Sequence, residues 1–151
     1  MDKDIYDYLK EYGLDNKEID YIENKNGNIY YINLGYAIKI IDFLESKGCS
    51  KEYIIKLLVN NPYMITEVEA RLTALDEIYL NRLFFNKEEL KYLLLNNYNT
   101  YTISPIELNK IIDYLLENKY SIEMVKRVIL SNPSIIEMKL DNFKKVLKLD
   151  K

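Results

Sequence analysis

Few side chains in this sequence can carry catalytic chemistry. There is no histidine, and the single cysteine is Cys49. Without imidazole, neither a Ser-His-Asp triad nor a histidine general base can be assembled. One thiol is too little for a Cys/His zinc site. Cys49 stands just before Ser50, where a thiolate gains some stabilisation from a helix start; a small buried apolar residue at a turn is the plainer role. The carboxylate pairs Glu67 with Glu69 and Glu88 with Glu89 each open a helix, so dipole compensation accounts for them without acid-base work. No glycine-rich phosphate loop is present. The expectation is a protein without catalytic residues, cofactor or metal.

Binding chemistry is better represented. Lys119, Lys126, Arg127, Lys144, Lys145 and Lys148 gather toward the C-terminal end. The periodicity places Lys126 and Arg127 opposite the buried face of their helix. Such a cluster suits phosphate or an acidic protein surface, and it equally suits the solvated face of two terminal helices. Tyr63, Tyr98 and Tyr101 fall in links between helices, where a tyrosine can reach a partner or stack on a base. Tyr53 and Tyr79 lie on apolar stripes and belong to the expected core.

The charge balance limits these readings. The 151 residues carry a formal net charge of -3. Met1 to Ser50 has ten carboxylates against six bases, and Tyr101 to Lys151 nine bases against seven carboxylates. An acidic protein is poorly suited to condense on bulk nucleic acid, although a basic end can make a local footprint. A lone cysteine fits a reducing cytoplasm. No apolar run approaches the roughly 18 residues of a membrane-spanning helix, and the acidic, amphipathic first ten residues read as neither secretory signal nor transit segment. The abundance of Ile, Lys, Asn and Tyr is the signature of an AT-rich genome.

The elements that position these residues are all helical by period. A first helix over Asp4 to Tyr12, with Ile5, Tyr8 and Leu9 on one face, stops at Gly13. Asp15 and Glu18 form an acidic capping box for a second. Asn24 to Asn28 reads as a turn, followed by an irregular link through Tyr30 to Ile32. Leu34, Ala37, Ile38, Ile41 and Leu44 mark a third helix ending at Gly48. Ser50 caps a fourth, with Tyr53, Ile54, Leu57 and Leu58 inward, which Pro62 ends. Thr66 with Glu69 is read as a capping box for a helix with Val68, Leu72, Leu75 and Tyr79 inward. Asn86 with Glu89 starts another. Ser104, Pro105 and Glu107 supply N-cap, N1 proline and N3 glutamate for the next, with Leu108, Ile111, Ile112, Leu115 and Leu116 on one face. Ser121 caps a helix with Met124, Val125, Val128 and Ile129 inward, ended by Pro133. A last helix from about Lys139 to Leu149 carries Leu140, Phe143, Val146 and Leu147.

These segments repeat. Ser50 matches Ser121, Glu52 matches Glu123, and Asn61-Pro62 matches Asn132-Pro133, each 71 residues apart. That offset is too long for one helical hairpin and right for two. Halving it sets Asn86 opposite Ser50 and Tyr98 opposite Pro62; stepping back sets Asp15 opposite Ser50 and Gly27 opposite Pro62. The expected fold is an all-α, right-handed α-solenoid of about four helix-helix-3₁₀ units, one domain over residues 1–151, in which each unit covers its neighbour's apolar face.

The pattern Gly48-Cys49-Ser50, Ile54, Leu57-Leu58, Asn61-Pro62, Ile65, with its echo Ser121, Val125, Val128-Ile129, Asn132-Pro133, Ile135, resembles the repeat of the mitochondrial transcription termination factor family. The resemblance spans roughly Asp15 to Leu149. It implies units of two α-helices and a short proline-bearing 3₁₀ turn, curved into a half-ring that holds nucleic acid on a basic concave surface. This sequence departs from that surface in its acidity and in having no regular Lys/Arg row. The first functional expectation is therefore a protein-binding module: a small regulator or inhibitor, of the kind mobile elements carry, docking on a nucleic-acid-handling machine, with anti-CRISPR proteins as an analogy. The alternative is direct nucleic-acid binding. Self-association through the C-terminal helix is expected if Val146 and Leu149 are exposed among Lys144, Lys145 and Lys148.

Overall fold

The computed structural model describes residues Met1–Leu147, and every regular element among them is helical. The chain divides into two compact units, Met1–Val68 and the residues from Glu69 on. The first holds α1 (Lys3–Tyr12), α2 (Asn16–Lys25), a 3₁₀ turn (Gly27–Tyr31), α3 (Leu34–Ser46), α4 (Lys51–Asn60) and a second 3₁₀ turn (Pro62–Thr66). The second holds α5 (Glu69–Asp76), a π-helical continuation (Glu77–Arg82), α6 (Lys87–Asn96), α7 (Pro105–Glu117), α8 (Ile122–Ser131), a 3₁₀ turn (Pro133–Glu137) and α9 (Leu140–Leu147).

Helix starts are encoded locally. Asp15 and Asn86 each make a full capping box, with Glu18 and Glu89 respectively, and Ser50, Ser104 and Ser121 each accept the N3 amide of the helix they precede. Each such cap stabilises its helix by about 1 kcal/mol because it satisfies an amide that has no partner within the helix. Helix ends are as local. Pro62 and Pro133 begin 3₁₀ turns immediately after α4 and α8, since a proline cannot donate the next helical bond.

The 71-residue offset holds at both bounds of α2 with α6, α3 with α7, α4 with α8 and Pro62–Thr66 with Pro133–Glu137, and at the start of α5 with α9. One asparagine follows each second helix: Asn26, Asn61, Asn97 and Asn132, with φ between -152 and -126° and ψ between 77 and 107°. Asn26 and Asn97 are buried and reach forward by the same bond. The Asn26 amide donates to the carbonyl of Pro62 at 3.0 Å and to the Thr66 hydroxyl at 2.8 Å. The Asn97 amide donates to the carbonyl of Pro133 at 3.0 Å and to a Glu137 carboxylate oxygen at 3.1 Å. Each side-chain oxygen also accepts an amide two residues on. These bonds tie the link after one helix pair to the proline turn after the next.

The positive-φ residues repeat as well. Gly13 (φ 127°) corresponds to Phe84 (φ 57°), and Gly48 (φ 91°) to Lys119 (φ 69°). The first unit uses glycine where the left-handed region costs least; the second places a phenylalanine and a lysine there.

Each unit has its own core. Ile5, Leu9, Ile19, Ile22, Ile41, Leu44, Ile54 and Leu57 are fully enclosed in the first, and Leu75, Tyr79, Leu93, Leu108, Ile111, Ile112, Leu115, Val125, Ile129 and Phe143 in the second. Burying each contributes about 1.5–3 kcal/mol. In the first unit α1 packs on α2 and α3, and α4 on α2 and α3; in the second α8 packs on α6 and α7, and α7 also on α5 and α9.

Several elements differ from the sequence reading. α2 continues to Lys25, two residues into the stretch read as a turn, and Gly27–Tyr31 is a 3₁₀ turn. Thr66 caps nothing: it closes the 3₁₀ turn and accepts the Asn26 amide, which leaves Val68 turned outward at 55% exposure. The third link, around Tyr98, is a hydrogen-bonded turn and lacks the 3₁₀ helix of the others; its amides are drawn to Asn97 and Asn99 carbonyls, and Thr100 also bonds back to Asn97. The π-helical segment had no signal in the periodicity. Met124 is exposed, and Tyr8, Tyr53, Ile38, Leu116 and Val128 are half-buried, because the buried stripes are narrower than the apolar pattern.

Candidate functional site

The basic cluster does not form one surface. Lys126, expected in solvent, is buried. Its Nζ lies 3.0 Å from Glu89 Oε1 and 3.4 Å from Glu123 Oε1, donates to the Phe84 carbonyl at 3.3 Å, and sits 5.7 Å from the Phe85 ring centre. Burial opposes its charge, but the hydrogen bond and charge of Glu89, then those of Glu123, outweigh it and raise the lysine's pKa. Glu89 is lowered, first by the Asn86 amide it accepts and then by Lys126, against the opposing effect of burial. The reason for the misplacement is tertiary. α8 packs on α6, and the α6 N-terminus brings a carboxylate to the Lys126 side of α8. Lys126 is thus a structural cation holding the start of α6 to α8.

The other bases are dispersed. Lys144 is half-buried with Nζ 5.0 Å from the Tyr114 ring centre. Lys119 is exposed and supplies the left-handed residue after α7, where a cation also meets the negative end of the helix dipole. Lys145 and Arg127 are exposed. Lys148 and Leu149 lie outside the described residues. Val146 is 55% exposed on α9, while Leu140 and Leu147 are half-buried and Phe143 is enclosed.

The link tyrosines separate similarly. Tyr63 is 56% exposed and Tyr98 is half-buried. Tyr101, expected to reach solvent, is buried: its hydroxyl donates to Asp76 Oδ1 at 2.6 Å and its ring meets Tyr79 edge-on at 5.6 Å. The third link folds inward, and a tyrosine with a carboxylate to bond is stable there. Tyr79 is core, as its stripe implied.

A repeated exposed position emerges once the caps are superposed. The sixth residue after the N-caps Asp15, Ser50, Asn86 and Ser121 is Tyr21, Lys56, Tyr92 and Arg127 in turn. All four are exposed. Each unit therefore shows one tyrosine and one cation at equivalent places, on two helices that pack together. A second exposed pair, Lys39 on α3 and Lys110 on α7, obeys the same 71-residue offset. Sequence reasoning, looking for one base per unit, passed over a pattern that alternates with aromatic residues. In the second unit Tyr92 and Arg127 line an open groove of about 500 Å³, with Asn86, Glu88, Glu89, Leu130 and Ser131 as the remaining wall.

The residues considered for catalysis have structural surroundings. Cys49 is buried. Glu67 is buried in the link after the Pro62 turn, where its carbonyl accepts the Tyr36 hydroxyl. Glu89 serves its cap and Lys126. Among the described residues, no group of three or more His, Cys, Asp or Glu is placed to hold a metal ion, and no helix is long and apolar enough to cross a membrane.

No curated protein matches this chain. The family model described as mTERF matches residues 2–149, nearly its whole length. Helices in pairs, the proline-bearing 3₁₀ turns at a constant offset and this match agree: the chain belongs to the mTERF family.

Proposed function

We propose that the protein is a non-catalytic helical-repeat module that binds nucleic acid. One observation carries the reading: the repeated exposed position occupied by Tyr21, Lys56, Tyr92 and Arg127. Aromatic faces stack on bases and cations meet phosphates, so a tyrosine and a base in each unit are the side chains such a ligand needs. Membership of the mTERF family supports it. In this reading the helices form a right-handed α-solenoid of about four helix-helix-3₁₀ repeats, working in a reducing cytoplasm. With a formal net charge of -3, affinity for bulk nucleic acid is low at physiological salt and rises steeply as salt is lowered. Fluorescence anisotropy with labelled single strands and duplexes across a salt series tests this. Salt-sensitive binding that falls when Lys56 and Arg127 are both changed to Gln is expected; no binding at low salt would overturn it.

A protein partner is the second reading, favoured by Tyr30, Tyr31 and Tyr63 at 59, 87 and 56% exposure on neighbouring 3₁₀ turns. They stand on a unit with twelve carboxylates against eight bases. Tyrosine-rich, acidic surface suits a basic protein, the regulator or inhibitor role. Self-association through exposed Val146 belongs to this reading; sedimentation of the wild type beside Val146→Asp tests it, and a monomer at high concentration would remove it.

A further inference from the structure

The second unit departs from the first where backbone geometry makes departure costly. At the left-handed position after the first helix, the first unit has Gly13, whereas the second has Phe84 at φ 57°. A bulky residue there costs on the order of 1 kcal/mol relative to glycine. The side chain returns little of that to the fold, since it is 67% exposed. Its backbone is nevertheless held from both sides. The Phe84 carbonyl accepts Lys126 Nζ at 3.3 Å. The amides of Leu83 and Phe85 donate to Ile78 and Tyr79 at 2.9 Å each, closing the π-helical segment. The Phe85 ring packs on Tyr79, with ring centres 6.1 Å apart. A strained backbone is thus pinned while an aromatic ring is presented to solvent.

The Phe84 backbone is joined through Lys126 to a groove of defined chemistry. Lys126 joins Phe84 to Glu89, and Glu89 and Asn86 line the open groove between α6 and α8. The groove's other features are the half-exposed Tyr92 ring and Arg127, whose guanidinium makes no ion pair within the described residues. Lys126 is neutralised by its carboxylates, so Arg127 is the cation this groove offers. Two exposed aromatic faces and an uncommitted guanidinium match a ligand of planar rings joined by anions. In a duplex the ring faces are covered by neighbouring base pairs; in an unpaired strand they are open.

We propose that the second unit grips an unpaired nucleic-acid strand at the α6–α8 groove, with base planes on Tyr92 and Phe84 and a backbone phosphate on Arg127. This rests on the nucleic-acid reading above and narrows it to single strands at one place. Glu88 is the groove's opposing charge and limits affinity.

The test uses the full chain, titrated against labelled oligothymidylate, oligouridylate and a duplex of matched length. Both single strands are expected to bind more tightly than the duplex; a difference between them reports a preference for DNA or RNA. Phe84→Gly is the decisive variant, because it relieves the backbone while removing the ring. It should keep or raise the melting temperature and weaken single-strand binding roughly tenfold, as should Tyr92→Leu. Arg127→Gln should lower the salt slope by about 0.7, and Glu88→Gln should tighten binding. Absence of binding to any of the three probes defeats the nucleic-acid reading and this proposal with it. Duplex binding as tight as single-strand binding, or single-strand binding indifferent to Phe84→Gly and Tyr92→Leu, leaves that reading standing and overturns this one.

Discussion

Asn26 and Asn97 make the same bond 71 residues apart: each buried side-chain amide donates, at 3.0 Å, to the carbonyl of a proline 36 residues further on. Pro62 and Pro133 have no amide of their own, and their carbonyls begin the turns that end α4 and α8. The asparagines fasten those turns to the preceding link, so the helix pairs of each unit are joined by side-chain-to-backbone hydrogen bonds as well as by apolar contact.

Removing that amide should be costly in both places. Asn26→Ala and Asn97→Ala are each expected to lower stability by about 1–3 kcal/mol, since each strands a carbonyl and an amide in a buried link. The two sites share no partner, so the double variant should be additive. Denaturant unfolding checks this; a loss near zero for either would mean that the turns are held by packing alone.

Lys126 and Glu89 should respond unequally to removal. Glu89→Ala leaves a buried cation and half a capping box, and should destabilise by about 2–3 kcal/mol. Lys126→Met keeps the packed stem and leaves a partly exposed carboxylate still bonded to Asn86, so its cost should be under about 1 kcal/mol. The pH dependence follows from the two directions. Glu89's contribution is complete above the ordinary glutamate range and is lost as pH falls through its lowered value. That of Lys126 is complete below the ordinary lysine range and is lost as pH rises through its raised value. The pair therefore contributes fully across neutral pH. Urea midpoints measured against pH should show Glu89→Ala flattening the acid limb.

Tyr12 is expected to be replaceable. Its hydroxyl is buried without a hydrogen-bond partner, and burial, followed by the charge of Glu45, pushes its pKa up to about 12. Tyr12→Phe keeps the ring beneath Lys51, whose Nζ lies 4.8 Å from the ring centre, and removes the stranded group. It should be neutral or stabilising by up to about 1 kcal/mol. It should also reduce the loss of wild-type stability between the ordinary tyrosine value of 10.0 and about 12, where the unfolded tyrosine ionises and the folded one does not. Thermal melts at neutral and alkaline pH would show both effects.

Gly13 should not tolerate a side chain. Its φ of 127° lies outside the range that L-residues favour, and an added Cβ would meet Ile55 Cδ1 at 3.0 Å. Gly13→Ala is expected to cost about 1–2 kcal/mol, mostly from the backbone. A melting temperature unchanged by that substitution would show that the loop adjusts freely.

What the sequence determined by itself was whatever depends on residues within a turn or two of one another. The boxes at Asp15 and Asn86, the serine caps, and the stops at Pro62 and Pro133 are contacts between near neighbours, and the 71-residue repetition of those signals exposes the repeat without any knowledge of packing. Tertiary structure decided the rest because the deciding partner is distant in the chain. Lys126 sits where helical spacing puts solvent, but α6 brings Glu89 to it. Tyr101 turns inward because Asp76 and Tyr79 receive it. Thr66 gives up its cap because Asn26 claims its hydroxyl. The exposed Tyr21, Lys56, Tyr92 and Arg127 were present in the sequence throughout; only the structure distinguished the bases left in water from the one already neutralised.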